Sequence, residues 1–314
     1  MENDYKKSNT FMLNISSNGN SYLMKYFFCF FLFVVAGCQP STSEYYNDEA
    51  EELSSDFKAY WFDGTAEISS YKLIQSRYGD PREGEAVLIY VTEDFLVNEQ
   101  VKANQKSEIS KTVLKLNRTK NFVTGIYPYS IMNSSFSYLG EKDPLAKITT
   151  SVQEWCGQAF MQLNKKNNLS ISSHSYFEGE ADQKVNLQNA LTEGELWHWI
   201  RTSPSTLPQG SLLLLPAFEY IRLAHKPLKL YEASAILNVS DQFNRYELNY
   251  PELNRKLDIK FEKNFPYEII GWQEFDTTDS TKTTTAIRIR KMKLPYWKLN
   301  HLGEENYRDS LGLK

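Results

Sequence analysis

The sequence predicts a mainly β fold: a large curved antiparallel sheet or open barrel packed on one central helix. Aromatic residues make up 14% of the chain, with 20 Tyr and 18 Phe. They cluster beside Thr, Val and Ile, a composition that suits pleated, half-buried strands. Twelve such segments are punctuated by Gly, Pro, Asn or Asp, the spacing expected of short strands joined by turns. Only one stretch, 185–201, carries its apolar residues at a sustained helical period.

The elements follow in chain order. Residues 26–36 read YFFCFFLFVVA, uncharged and apolar, with Lys25 just before them. A membrane-spanning helix needs about 20 such residues, whereas this shorter run behind a positive charge has the proportions of a secretory signal. It ends in Val35, Ala36, Gly37 and Cys38, which resemble the lipobox of bacterial lipoproteins. The resemblance implies cleavage between Gly37 and Cys38, a diacylglycerol on the Cys38 sulfur, and a membrane as partner through that lipid. Two or three acyl chains anchor stably where one does not. Residues 1–23 are polar and precede a second methionine, so Met24 is read as the start of translation. Gln39 in place of aspartate after the cysteine leans towards the outer membrane in the lipoprotein sorting rules. The choice between the periplasmic face and the cell surface stays open.

Removing residues 1–37 leaves 277 of 314 residues (314 − 37), enough to bury roughly 70–75% of the unfolded surface without a disulfide or metal. Residues 38–55 are polar and acidic and read as a tether; the folded part, 56–314, begins near Asp56. In SSDFKAYW, Phe57, Tyr60 and Trp61 fall on one helical face. Strands are then expected at 66–74, 85–92, 112–117, 147–152, 160–163 and 169–175. The helix at 185–201 carries Leu187, Leu191, Leu196, Trp197 and Ile200 and stops at Ser203 and Pro204. A second series of strands follows at 211–215, 228–237, 244–250, 256–261, 267–274 and 283–292.

Charge excludes one class of function. The chain carries −4 formally, about −5 once three lysines and two acids leave with the leader. Nucleic-acid binding needs clustered Lys and Arg. The longest basic run, 288–293, alternates with Ile and Met and reads as a strand with one wet face. With Cys29 in the leader and Cys38 lipidated, Cys156 has no partner for an intrachain disulfide.

Several residue types invite a chemical reading. His174 lies near Glu178, Glu180 and Asp182, the ingredients of a metal site or of a general base with a carboxylate partner, yet also of a strand ending in an acidic turn. Cys156, between Trp155 and Gly157, is a candidate nucleophile with His174 or His198 as base; the ordinary reading is a small buried hydrophobe. Trp197, His198 and Trp199 spread over different faces of the helix, so they are not all expected in the core. His225 and His301 have no companions in sequence. Arg77 and Arg82 flank a Gly and Pro turn that would suit an anionic ligand or simply form a solvated hairpin. Pro128 and Pro251 sit at aromatic strand edges. No phosphate loop, dinucleotide fingerprint, nucleophile elbow, zinc-binding His pair or paired Cys motif occurs, so no metal or cofactor is expected.

YWFDGTAEISSYKLIQSRYGDPREGEAVLIYVTEDF, TGIYPYSIM, QEWCGQAFMQLN, SHSYFEGEAD and YPELNRKLDIKF together resemble a family of uncharacterised lipoproteins of Bacteroidetes-type bacteria. Some members carry the label septum formation inhibitor Maf; the Ser-x-Ser-Pro-Arg-Arg run of Maf pyrophosphatases does not occur in this chain. The resemblance covers nearly all of the mature chain and implies an envelope location, with no catalytic residues. The expected function is a non-enzymatic binding or carrier protein for a hydrophobic ligand, with an apolar concavity lined by Tyr, Phe and Trp. An envelope hydrolase built on His174 or Cys156, and a structural partner in an envelope complex, remain alternatives.

Overall fold

The computed structural model describes residues 52–313; the expected leader, the Gly37–Cys38 cleavage site and most of the tether lie outside the described residues. Ser54 caps α1 (Ser55–Trp61) by accepting from the Phe57 amide at 3.1 Å, and Phe57 and Trp61 are buried as the helical period predicts. The strands that follow are β1 (Ala66–Arg77), β2 (Asp80–Leu96), β3 (Val101–Lys102), β4 (Ser110–Thr124), β5 (Tyr127–Tyr138), β6 (Leu145–Glu154), β7 (Gly157–Lys165), β8 (Leu169–Ser175), β9 (Gln183–Leu187) and β10 (Leu191–Thr192). After α2 (Glu193–Thr202) come β11 (Gly210–Leu215), α3 (Phe218–Leu223), β12 (Tyr231–Val239), β13 (Asn244–Tyr250), β14 (Arg255–Phe261), β15 (Ile269–Asp276), β16 (Thr283–Leu294) and α4 (Asn306–Ser310).

The sixteen strands among the described residues belong to one sheet, in the order β10-β11-β12-β13-β14-β15-β16-β1-β2-β4-β5-β6-β7-β8-β9, with β3 beside β2. Apart from β3, which pairs only with β2, and β9 and β10, which do not pair with each other, each strand pairs with its neighbours in sequence; β1 also pairs with β16, so the first and last strands meet in the middle of the sheet. The sheet's two edges are β10 and β9, joined by residues 188–190 alone. Three residues hold the joined ends within about 14 Å. The sheet therefore has to curl until its edges face each other. Every ladder is antiparallel except the two-residue β10–β11 pairing. The fold is mainly β, as the composition predicts.

Helix α2 lies inside the curl. It touches the inner face from all round: Tyr90 on β2 donates to the Trp197 carbonyl, Ser135 on β5 meets His198, and Glu67 on β1 meets Arg201. Arg255 on β14 meets Glu193, and Trp272 on β15 packs edge-on against Trp197. All but the last residue of α2 are buried. This corrects the expectation that Trp197, His198 and Trp199 cannot all be core: a helix enclosed by a sheet has no wet face. It also shortens the expected helix, because 183–187 and 191–192 pair as β9 and β10, and Thr192 starts α2 with a capping box to Glu195. Residues 127–138 form β5, absent from the expected strands. Pro128 is tolerated there because β6 first pairs at Ser130.

The interior that would have formed an apolar concavity is thus occupied. Leu196, Trp197 and Ile200 join Tyr71, Tyr90, Leu116, Tyr246 and Trp272 in the main core. A second cluster, Ile148, Leu163 and Ile171 with Phe218 and Ile221, seals α3 against β6 to β8 at the gap between the edges. On the outer face, Leu311 and Leu313 cover Ala66 and Ile68. The basic run 288–293 lies in a strand, β16, and keeps its dry side only at Met292, which packs on that outer cluster. Ile289 is an extra residue between the partners of Ser70 and Tyr71, and Ile287 and Ile289 both face solvent. Arg288 instead reaches Glu262 and Glu268.

Candidate functional site

The inner face of the sheet is unusual in mixing apolar and charged side chains along the same strands. On β4, Leu116, Arg118, Lys120 and Phe122 alternate inward and all are buried. Buried charge is tolerable only when paired and hydrogen-bonded. Three clusters meet that condition. Arg201 grips Glu67 through two hydrogen bonds of 2.7 and 2.8 Å and lies 4.6 Å over the Tyr90 ring. Arg255 grips Glu193 at 2.6 and 3.0 Å, also meets Glu274, and lies 4.2 Å over Tyr220. Glu219 accepts from Arg118 at 3.0 Å and pairs with Lys120 at 3.1 Å, both through Oε1.

The last two clusters open onto a cleft of about 490 Å³ at the end of the barrel where α3 lies. Its walls come from the ends of β1 and β4, from α3, and from the β13–β14 and β15–β16 connections. Asn254, in the left-handed conformation at φ 50°, turns the chain out of the Pro251–Leu253 3₁₀ turn and sets Arg255 pointing inward. Burial would raise the Glu219 carboxyl, but Arg118 and Lys120 outweigh it and hold it down at about 2, so Glu219 is ionised. Its second oxygen, Oε2, is buried and has no hydrogen-bond partner among the described residues. Gln75 repeats the pattern. Its Nε2 donates to the Ser76 carbonyl and to Thr284 Oγ1 at 3.1 and 3.0 Å, which fixes the amide orientation and leaves the buried Oε1 unpaired.

Arg77 lines the same cleft and has no carboxylate partner among the described residues. It donates to the Leu223 carbonyl at 2.6 Å and to the Tyr129 hydroxyl at 3.3 Å. The turn that follows is a two-residue hairpin with Tyr78 at φ 57° and Gly79 at φ 82°. Asn or Gly is the usual first residue of such a turn, and a tyrosine there costs roughly 1–3 kcal/mol of backbone strain. Tyr78 is held in place by Arg77, 4.3 Å above its ring, and by the Tyr129 hydroxyl at 2.8 Å. The turn read from sequence as an anionic-ligand site or a solvated hairpin therefore forms one lip of the cleft.

The other sequence candidates do not assemble. His174 pairs with Asp182 at 3.3 Å on an exposed face, while Glu180 turns away to His225 at 2.6 Å and Arg222 at 3.4 Å. This supplies the companions that His225 lacks in sequence. Cys156 is exposed in the β6–β7 turn rather than buried. Its amide donates to Glu154 at 2.7 Å, and that carboxylate raises the thiol, the wrong direction for a nucleophile. His198, its other candidate base, is enclosed in the barrel 2.8 Å from Ser135 Oγ, and burial pushes it down to about 3. Glu219, Gln75 and Arg255 escaped notice because they come from distant segments; the inward parity shared by Arg118, Lys120 and their apolar neighbours was the available signal.

No protein-family profile and no curated protein matches the chain. Among solved structures, it is similar to a β-barrel-like protein of domain of unknown function DUF1849 from Brucella abortus, at a TM-score of 0.45 and 7% identity, over 73% of this chain and 97% of that one.

Proposed function

We propose that the chain is a lipid-anchored protein of the bacterial envelope whose β domain is a non-enzymatic binding module. Its cleft takes a small polar ligand that donates hydrogen bonds through amine or hydroxyl groups. The supporting observation is a pair of buried acceptors without partners among the described residues, Glu219 Oε2 and Gln75 Oε1, on two residues that line one cleft. An unpaired buried acceptor costs about 1–3 kcal/mol, and a ligand donor that reaches it recovers that cost. A hydrophobic ligand fits this cleft less well, since Arg77, Lys120, Glu219 and Arg255 all line it.

Comparing native with denaturing mass spectra of protein purified from its own envelope tests this reading. The expected result is a polar molecule bound one to one and lost in Gln75→Leu, a change that leaves the ion pairs intact. A lipid mass, or a ligand held equally by the variant, overturns it. The anchor rests on the lipobox resemblance at Cys38 and on the resemblance to envelope lipoproteins. An alkyne-palmitate label should appear on the wild-type chain in the outer-membrane fraction and vanish in Cys38→Ser.

A further inference from the structure

Beside the cleft, four consecutive hairpins of the sheet end on the same rim, and each presents a large apolar side chain at its tip. Tyr78 in the β1–β2 turn is 60% exposed, Ile126 in β4–β5 82%, Trp155 in β6–β7 68% and Tyr176 in β8–β9 79%. Exposed apolar tips cost solubility without adding to the core, so four in a row point to a partner. The rings are held by identifiable contacts. Tyr127 lies 6.3 Å from Trp155, Tyr129 lies 5.9 Å from Tyr127, and the Tyr78 and Tyr129 hydroxyls meet at 2.8 Å. Tyr176 packs on Gly157, where an added Cβ would come within 2.8 Å of its ring. Its turn is fixed to α3 by Glu180, which holds Arg222 and His225.

Charge narrows the partner. The turn stretches 78–80, 124–127, 154–157 and 176–182 contain no Lys or Arg, and of their five acids Asp80 pairs with Arg82, Glu180 with Arg222 and His225, and Asp182 with His174. The tips themselves offer an anionic lipid surface no basic residue, and interfacial binding draws on such residues. A neutral polyol needs none. Between the Trp155 turn and Tyr176 lies an open groove of about 500 Å³ lined by Gln153, Glu154, Gln158 and Tyr176, which sets amide and carboxylate groups beside an aromatic face. Aromatic faces carry partial negative charge and attract the polarised C–H bonds of a pyranose ring, while Gln and Glu side chains bond its hydroxyls. Neighbouring hairpin tips are two strands apart, ~10 Å, close to one disaccharide unit of a β-1,4-linked chain.

We infer that this aromatic rim is a binding platform for a β-1,4-linked glycan, with Trp155 and Tyr176 as its principal rings. The inference is independent of the cleft reading, since neither ring lines the cleft.

The test is affinity electrophoresis of the full chain in detergent through gels containing glycol chitin or hydroxyethyl cellulose, with cosedimentation on peptidoglycan sacculi. Retardation is expected in at least one matrix, weakened about tenfold by Trp155→Ala and by Tyr176→Ala, the size of effect typical of a single anchoring aromatic. Trp297→Ala, exposed but away from the rim, should migrate as wild type, and so should Gln75→Leu, which impairs only the cleft. Unaltered mobility in every matrix, binding that survives the double Trp155→Ala/Tyr176→Ala change, or binding only to phosphatidylethanolamine/phosphatidylglycerol vesicles would overturn it.

Discussion

Replacing Glu67 by Gln tests whether the barrel interior is held by charge in balance. Glu67 and Arg201 are 2% and 1% exposed, and the carboxylate also takes the Tyr60 hydroxyl. In Glu67→Gln the Arg201 guanidinium stays charged, since arginine does not deprotonate, and loses both bonds to an ionised acceptor. Removing one partner of such a pair costs about 3–5 kcal/mol, whereas exchanging both for packed apolar groups is often neutral. At about 2–4 °C per kcal/mol for a domain of this size, a loss of 4 kcal/mol lowers Tm by about 8–16 °C. Arg201→Met should lose a similar amount at pH 7, but its deficit should shrink on acidification as the stranded Glu67 takes up a proton. The double variant Glu67→Leu/Arg201→Met should recover more than half of either loss. Scanning calorimetry measures all three. A single-variant loss below about 1 kcal/mol, typical of surface pairs, or a double variant no better than the singles, would refute the reasoning.

Other predictions follow from the same interior. His198 is held neutral in the fold down to about 3, so between pH 6.5 and 3 the unfolded chain binds a proton that the folded chain refuses. Stability is then full above pH 6.5 and falls on acidification by up to about 1.4 kcal/mol per pH unit. Glu219, held at about 2, adds its own loss below about pH 4.5 by the same sign. His198→Gln should flatten the upper part of the urea midpoint against pH and leave the lower part. Gly271→Ala would place its Cβ against the Ala286 carbonyl of the paired strand, and chemical denaturation should show a loss of at least about 2 kcal/mol. Cys156 should react slowly with iodoacetamide at pH 7 despite its exposure and faster in Glu154→Gln, which removes the carboxylate that raises the thiol; an unchanged rate would exclude that cause.

The amino-acid sequence by itself determined the fold class and most of the strands. The β8 and β13 segments stand in the structure at the bounds their composition suggests, because alternation and turn residues are local properties. The α1 face was legible for the same reason, with Phe57 and Trp61 on one side. Local pattern failed where tertiary enclosure took over. Residues 185–187 open the expected helix but pair within β9 at the sheet's edge, and the Trp197, His198 and Trp199 faces are all buried because the sheet wraps α2. The pairing of β1 with β16 was invisible locally, since it joins segments more than 200 residues apart. The cleft depends on that pairing. Only the curled sheet brings Gln75, Lys120, Glu219 and Arg255 to one end, and only the register of four hairpins sets Tyr78, Ile126, Trp155 and Tyr176 along one rim, because both are consequences of strand pairing across the whole chain.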